Sequence, residues 1–355
     1  MNILLFNLLF ILSITGTTIH AKTSSPKPTE VKFAVLAPEG STWIKLMREF
    51  AEDVKKKSKD TVSFRIFPGG ISGDEFDVIR KMNFKKIDSS GFTGVGLGQI
   101  LPAVRVFELP RLFDSYEELD HVVGKMTPYF EKEFNKKGYI FLGWAEVGFV
   151  NIFSDDKLDS LKSLDGIKMW TWEGDPLALE LFKALKISPN PMPVTDVFTS
   201  LQTGLINAVY VSPLAAIAMQ WFTKTKYMNT LKLTNATGAM LMTKASFKKL
   251  SEENQKILKK EASAFSKKLI TATRKDNEQA YKTLEKNNIK FVDLKEKDRE
   301  EFDKISQGVW QTLTGKLYKK ELLNEVLKYR DEFRDMKKKE KEKKIEDDKK
   351  TDKDK

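Results

Sequence analysis

From Val31 onward, short apolar runs with the two-residue period of strands alternate with longer stretches whose apolar residues recur every three or four positions. Val31 to Leu36 reads as a strand. Pro38 to Thr42 reads as a turn in which Ser41 or Thr42 can cap the amphipathic helix Trp43 to Lys57. Val62 to Phe67 alternates as a second strand, and the glycine-rich Phe67 to Glu75 leads into another helix. Ser89 to Gly98 is predicted as a strand-to-loop crossing, Val104 to Phe113 as an extended run, Ser115 to Lys125 as a helix capped by Ser115, and Tyr139 to Val150 as a strand.

The stretch Asp165 to Pro213 is the richest. Ile167 to Trp172 forms a strand that ends in Glu173-Gly174-Asp175-Pro176, where Asp175 suits an N-cap and Pro176 the first helical turn. Helix Leu177 to Leu185 follows, then the proline-punctuated piece Pro189 to Pro193. A helix capped at Thr195-Asp196 runs through Leu201, and Ala208 to Val211 is the last strand. Ala239 to Thr243 is a further strand. Ser251 to Asn287 predicts one long helix, with Ile257, Leu258, Phe265, Leu269 and Tyr281 in helical register, before Phe291 to Leu294 and the helices Glu296 to Leu313 and Lys319 to Phe333. Strands that alternate with helices in this way define an α/β chain.

Composition narrows the picture. The apolar run Ile3 to Ile14 is too short to anchor in a bilayer and ends in small polar residues, so residues 1–21 read as a signal peptide cleaved after Ala21, and 22–30 as a polar linker. About 330 residues remain, enough for two lobes or one large domain. There is no cysteine, which excludes disulfides, thiolate chemistry and a lipid anchor through an N-terminal cysteine. The net charge of +11 is spread over helices on which Lys and Glu alternate, the pattern of solvated faces rather than of a nucleic-acid surface. Residues 336–355 are almost pure charge, with Ile345 the only large apolar residue after Met336, and are expected to form a disordered tail.

Catalytic constellations are missing. His121 is the one histidine after the signal segment and has no second histidine or cysteine, so neither a nucleophilic triad nor a metal site is expected. The turn PGGISGDE lacks a phosphate-loop lysine and puts Asp74 and Glu75 where a phosphate would sit. Glu173 and Asp175 form an acidic pair at a strand end, of which capping already accounts for Asp175. No enzyme and no cofactor are expected. An enzyme on this framework would need Glu173, Asp175 and His121 to converge.

Several segments occur together and in order: PGGISGDE, KMNFKKIDSS, SSGFTGVGLG, VRVFELPRLF, LKSLDGIKMW, NPMPV, DVFTSLQTGLINA and YVSPLAA. On these the chain resembles the substrate-binding subunits of tripartite ATP-independent periplasmic (TRAP) transporters, the DctP family. The resemblance covers Val31 to about Phe333. It implies a two-lobed α/β solute-binding fold with a hinge and a long bracing helix. Lobe I would comprise 31–150 and 239–275, and lobe II 151–238 and 276–335. It also implies a periplasmic, non-lipidated protein that binds a small molecule and hands it to membrane permease subunits, or to a periplasmic helical-repeat partner. A sensory protein presenting ligand to a receptor would have the same sequence features.

One position departs from the family pattern. Where the resemblance places an arginine that grips a solute carboxylate, this chain has Met169, whose loss of donors costs such a ligand about 1.5–3 kcal/mol. The strand-end run Val209 to Pro213 offers Tyr210 and Ser212. The expected ligand-contacting residues are therefore Trp43, Phe92, Thr93, Trp144, Phe149, Met169, Trp172, Glu173, Tyr210 and Ser212, around a neutral or largely hydrophobic ligand. Aromatic residues on strands and helices are more often core than pocket. Arg105 or Arg111 is the candidate for a displaced positive charge, although their run reads as structural.

Overall fold

The computed structural model describes residues 28–351, so the signal-peptide reading of 1–21 and most of the 22–30 linker lie outside the described residues. The order is β1 (Thr29–Ala34), α1 (Thr42–Lys57), β2 (Val62–Phe67), α2 (Glu75–Asn83), β3 (Ser89–Thr93), α3 (Gly94–Ile100), a 3-10 turn Pro102–Glu108, α4 (Tyr116–Lys136) and β4 (Tyr139–Ser154). There follow β5 (Trp170–Trp172), α5 (Pro176–Ala184), β6 (Asn190–Met192), α6 (Val197–Thr203), β7 (Ala208–Val211), α7 (Pro213–Ala218), β8 (Tyr227–Asn229) and β9 (Thr234–Thr243). The chain continues through α8 (Lys244–Phe247), α9 (Glu252–Lys286), β10 (Lys290–Val292), α10 (Glu296–Leu313) and α11 (Lys320–Thr351).

The strands form one path, β10-β8-β4-β9-β3-β1-β2, with β7 also on β4 and a separate pair β5-β6. At one end β2, β1 and β3 run parallel, as expected of strand-helix-strand units. Antiparallel β9 and β4 follow. β4 is the shared element. Its first three quarters pair with β9, from Tyr139 opposite Thr243 to Val150 opposite Thr234, and its last residues pair with β7 and β8. Register shifts between Phe141 and Gly143 and between Glu146 and Gly148 bend β4 as it passes from one half of the molecule to the other.

Local chemistry explains the helices. Ser41 caps α1 by accepting from Ile44 N, and Ile44, Met47, Phe50 and Val54 bury one face against the first sheet half. The 35-residue α9, about 52 Å long at 1.5 Å per residue, is capped by Ser251 and buries a stripe through Leu258, Phe265, Leu269, Asn277 and Leu284. Its N-terminal residues join the core under α1, whereas Leu284 joins the core around Trp170 and Trp221. The helix therefore braces both halves, also packing on β4 and α7.

Three sequence expectations shift. The helix from Ser115 continues past Lys125 to Lys136, with Pro128 inside it, because Phe130 and Phe134 extend its buried face. The run Val104 to Phe113 begins as a 3-10 turn rather than an extended segment. The C-terminal helices contact both halves of the molecule. α10 packs on α5, whereas α11 lies along α4, and Trp310 Nε1 donates to Pro110 O at 2.8 Å. Finally, the charged stretch from Met336 stays helical to Thr351, because Lys and Glu are good helix formers that can pair along one face, as Lys337 and Glu340 do at 2.8 Å.

Candidate functional site

Two adjoining chambers lie where the halves meet. The inner one, about 120 Å³, is walled by Thr93, Val95, Arg105 and Glu108 from one half, by Val147 and Val150 of β4, and by Trp170, Trp172, Asp175, Phe182, Tyr210 and Ser212 from the other. The outer one, about 330 Å³, is lined by Trp43, Phe92, Glu75, Gly91, Glu146, Leu214, Ile217 and Asp276. Thr93, Val147, Ala215 and Met219 line both and form the partition.

The aromatic wall follows from strand alternation. On β5, Trp170 and Trp172 point into the inner chamber, so Met169 and Thr171 point away. Trp170 stacks on Tyr210, with ring centroids 5.1 Å apart and planes at 24°, and Trp221 closes on its edge at 5.3 Å. Trp170 Nε1 is satisfied by Met192 O at 3.1 Å. Ser212 caps α7 by accepting from Ala215 N, which presents the start of that helix to the chamber.

The polar floor is buried and internally satisfied. Asp175 is 1% exposed and Arg105 4%. Arg105 Nη1 lies 2.9 Å from Asp175 Oδ1, and Nη2 donates to Oδ2 at 3.0 Å. Arg105 Nε is 2.7 Å from Glu108 Oε2 but off the N–H axis, so that contact is an ion pair without a hydrogen bond. Burial alone works against the Arg105 charge, yet Asp175 and Glu108 outweigh it and hold the guanidinium above its ordinary range. Burial pushes Glu108 up to about 7, with Arg105 opposing and Asp175 adding to the rise. Thr237 N donates to Glu108 Oε1 at 2.8 Å.

Glu75 sits at the same depth on the outer side. It accepts from Thr93 N at 2.6 Å, Thr93 Oγ1 at 2.9 Å and Gly96 N at 2.7 Å, while burial pushes it up to about 7. These two carboxylates explain two of the three glycines of α3, and Arg105 lies against the third, Gly98. A Cβ on Gly94 would stand 2.0 Å from Glu108 Oε2, and one on Gly96 2.6 Å from Glu75 Oε2. Asp74, the N-cap of α2, ties the halves together by accepting from Trp172 Nε1 at 3.1 Å and Val194 N at 3.0 Å. Burial pushes its pKa above the ordinary carboxylate value, and the bonds from Val194 and Glu75 oppose that rise.

Six of the ten sequence-predicted residues line these chambers: Trp43, Phe92, Thr93, Trp172, Tyr210 and Ser212. Four lie elsewhere. Trp144 is in the Phe107, Phe130 and Phe141 cluster with Nε1 on Thr127 Oγ1 at 2.8 Å. Phe149 packs on Tyr116 under Lys232. Glu173 is exposed. Met169 is fully buried among Phe182, Ala178 and Ile187, because the chamber face of β5 is the tryptophan face; the residue that lines the chamber is Trp170, one position along. Trp170, Arg105, Glu108 and Asp175 enter the wall instead. The glycine spacing of GVGLG, which needs large neighbours, was the one sequence signal for the two acids.

A catalytic cluster does not form. His121 packs on Phe333, Glu173 faces solvent and Asp175 is held by Arg105. Among the described residues no group of His, Cys, Asp and Glu could hold a metal ion. An enclosed, mainly apolar chamber between two α/β halves braced by one long helix is the architecture of a solute-binding protein.

Comparison with known proteins agrees with that class. The model of the bacterial extracellular solute-binding proteins of family 7, DctP, matches residues 33–319, and the chain belongs to this family of TRAP solute-binding proteins, which are periplasmic and not enzymes. A solute-binding protein of Roseobacter denitrificans is 28% identical over 228 residues, 63% of this chain and 69% of that protein. Two further curated relatives are spanned over 65% and 60% of their length. Among solved structures, the sugar acid binding protein of Advenella mimigardefordensis in complex with galactonate superposes with a TM-score of 0.82 at 24% identity, covering 86% of this chain and 99% of that one. A TRAP periplasmic solute-binding protein of Ralstonia eutropha with bound (S)-2-acetolactate superposes with a TM-score of 0.80 at 20% identity, with the same coverage.

Proposed function

We propose that this chain captures a small, mainly apolar, neutral solute in the inner chamber between its two halves and delivers it to the permease subunits of a TRAP transporter. A periplasmic helical-repeat protein is a second candidate recipient. The observation that carries the ligand class is electrostatic. Among the described residues lining either chamber, Arg105 is the only cation, and Asp175 and Glu108 already occupy it. The remaining inner wall is mainly tryptophan, tyrosine, valine, leucine, alanine and phenylalanine, with the hydroxyls of Thr93, Ser212 and Thr234 as its other polar groups. Its volume is of the order of the ~150 Å³ apolar cavity that admits a benzene ring.

Release is expected to use hinge motion, since the halves are joined by β4, β9 and α9 and meet through Asp74 and the Arg105–Asp175 pair. The comparisons favour a second reading. The two solved relatives above hold galactonate and acetolactate, both carboxylates, and a carboxylate solute here would have to displace Asp175 from Arg105. Calorimetric titration of the purified protein with galactonate, a short-chain keto acid and neutral aromatic and branched-chain alcohols separates the two. Native mass spectrometry of whatever copurifies supplies an unbiased candidate. Tight binding of either carboxylate, with no response to the neutral compounds, would overturn the first reading.

A further inference from the structure

We infer that Asp175 is a specificity-determining residue: it acts as a built-in carboxylate that occupies Arg105 across the two halves and so denies that guanidinium to solute carboxylates. The inference deepens the reading of the inner chamber as the solute site and rests on it. One hydrogen bond, from Nη2 to Oδ2 at 3.0 Å, and one ion-pair contact, Nη1 to Oδ1 at 2.9 Å, turn both terminal nitrogens of Arg105 to Asp175, the side of the guanidinium that a solute carboxylate would otherwise engage. The third nitrogen, Nε, is turned to Glu108 at 2.7 Å.

Asp175 is also held in place from behind. Its Oδ1 accepts from Leu177 N at 3.0 Å and from Ala178 N at 3.4 Å as the N-cap of α5. Swinging it away from Arg105 therefore strips a helix cap as well as an ion pair, and a solute carboxylate competes against a partner already anchored in the fold. Pro176 at the first helical position holds the backbone of that turn. The pair sits at the chamber wall beside Tyr210 and Trp172, where a solute head group would arrive.

The test uses a matched pair of probes with one ring, benzoate and benzyl alcohol, titrated calorimetrically into the wild-type protein and into Asp175→Asn and Asp175→Ser. Both substitutions keep a capping oxygen for α5, and circular dichroism confirms folding. The expected result is that each variant binds benzoate about tenfold or more tighter than wild type, the range of a recovered charge-assisted contact, and that adding Arg105→Met abolishes the gain. If benzyl alcohol binds the wild type and neither variant gains affinity for benzoate, the role of Asp175 is overturned while the neutral-solute reading stands. If wild type binds benzoate as tightly as the variants do, both are overturned. If benzyl alcohol fails to bind but the variants gain benzoate, the neutral-solute reading falls and Asp175 keeps its role.

Discussion

Replacing Arg105 by methionine tests whether the floor of the chamber is held by charge. Arg105 is 4% exposed and contacts two carboxylates, Asp175 at 1% and Glu108 at 5% exposure, within 3.0 Å. Methionine preserves much of the volume but leaves Asp175 buried without a cation. Removing one partner of such a pair costs about 3–5 kcal/mol, a large share of the about 5–15 kcal/mol that stabilises a typical domain. At about 2 °C per kcal/mol, the lower slope for large domains, the melting temperature falls by about 6–10 °C. The companion Arg105→Met, Asp175→Leu removes the Arg105–Asp175 pair and recovers part of the loss, the remainder being the unpaired Glu108 and the lost cap of α5. Urea unfolding of wild type, both single variants and the double variant gives the coupling directly. A loss below about 1 kcal/mol in Arg105→Met, or a coupling near zero, would refute the account of a buried, mutually dependent triad.

Two further perturbations follow from the same chamber. Glu75 and Glu108 are pushed up to about 7 from 4.5, so the folded chain binds more protons than the unfolded chain between those values. Their contribution is complete below pH 4.5 and is lost as pH rises through 7, at up to about 1.4 kcal/mol per pH unit for each group. Urea midpoints at pH 5 and pH 8 should therefore differ less in Glu75→Gln, Glu108→Gln than in wild type, and an unchanged difference counts against the shifts. Gly96→Ala puts a Cβ 2.6 Å from Glu75 Oε2 and 2.7 Å from Phe92 Cδ1 and is expected to cost about 1–3 kcal/mol. Gly124→Ala in α4 meets nothing within 4 Å and should stabilise by up to about 1 kcal/mol, so equal midpoints for the two variants would contradict the close approach.

Sequence period placed most of the strands and helices from Val31 to Phe333, though not α3, α7 or β8, because amphipathic spacing and caps such as Ser41, Ser115, Asp175 and Ser251 are local properties of the chain. It also pointed to the β5 region and to Tyr210, Ser212 and Trp172 as wall residues. Which face of β5 looks into the chamber was not local. Alternation says that Met169 and Trp170 point opposite ways, and only the packing of Met169 against Phe182 and Ala178 decides which one lines the chamber. Trp144 and Phe149 show the same limit, since an aromatic on β4 can serve the core under α4 or the chamber with an identical sequence pattern. The Arg105–Asp175 pair lies furthest from sequence reasoning. Its members are 70 residues apart, come from different halves and meet only when the 3-10 turn and the start of α5 are brought together by tertiary packing. The family and the fold were thus determined by the sequence through local pattern and motif order, whereas the charge balance of the chamber was decided by tertiary structure, because burial and pairing are properties of neighbours in space.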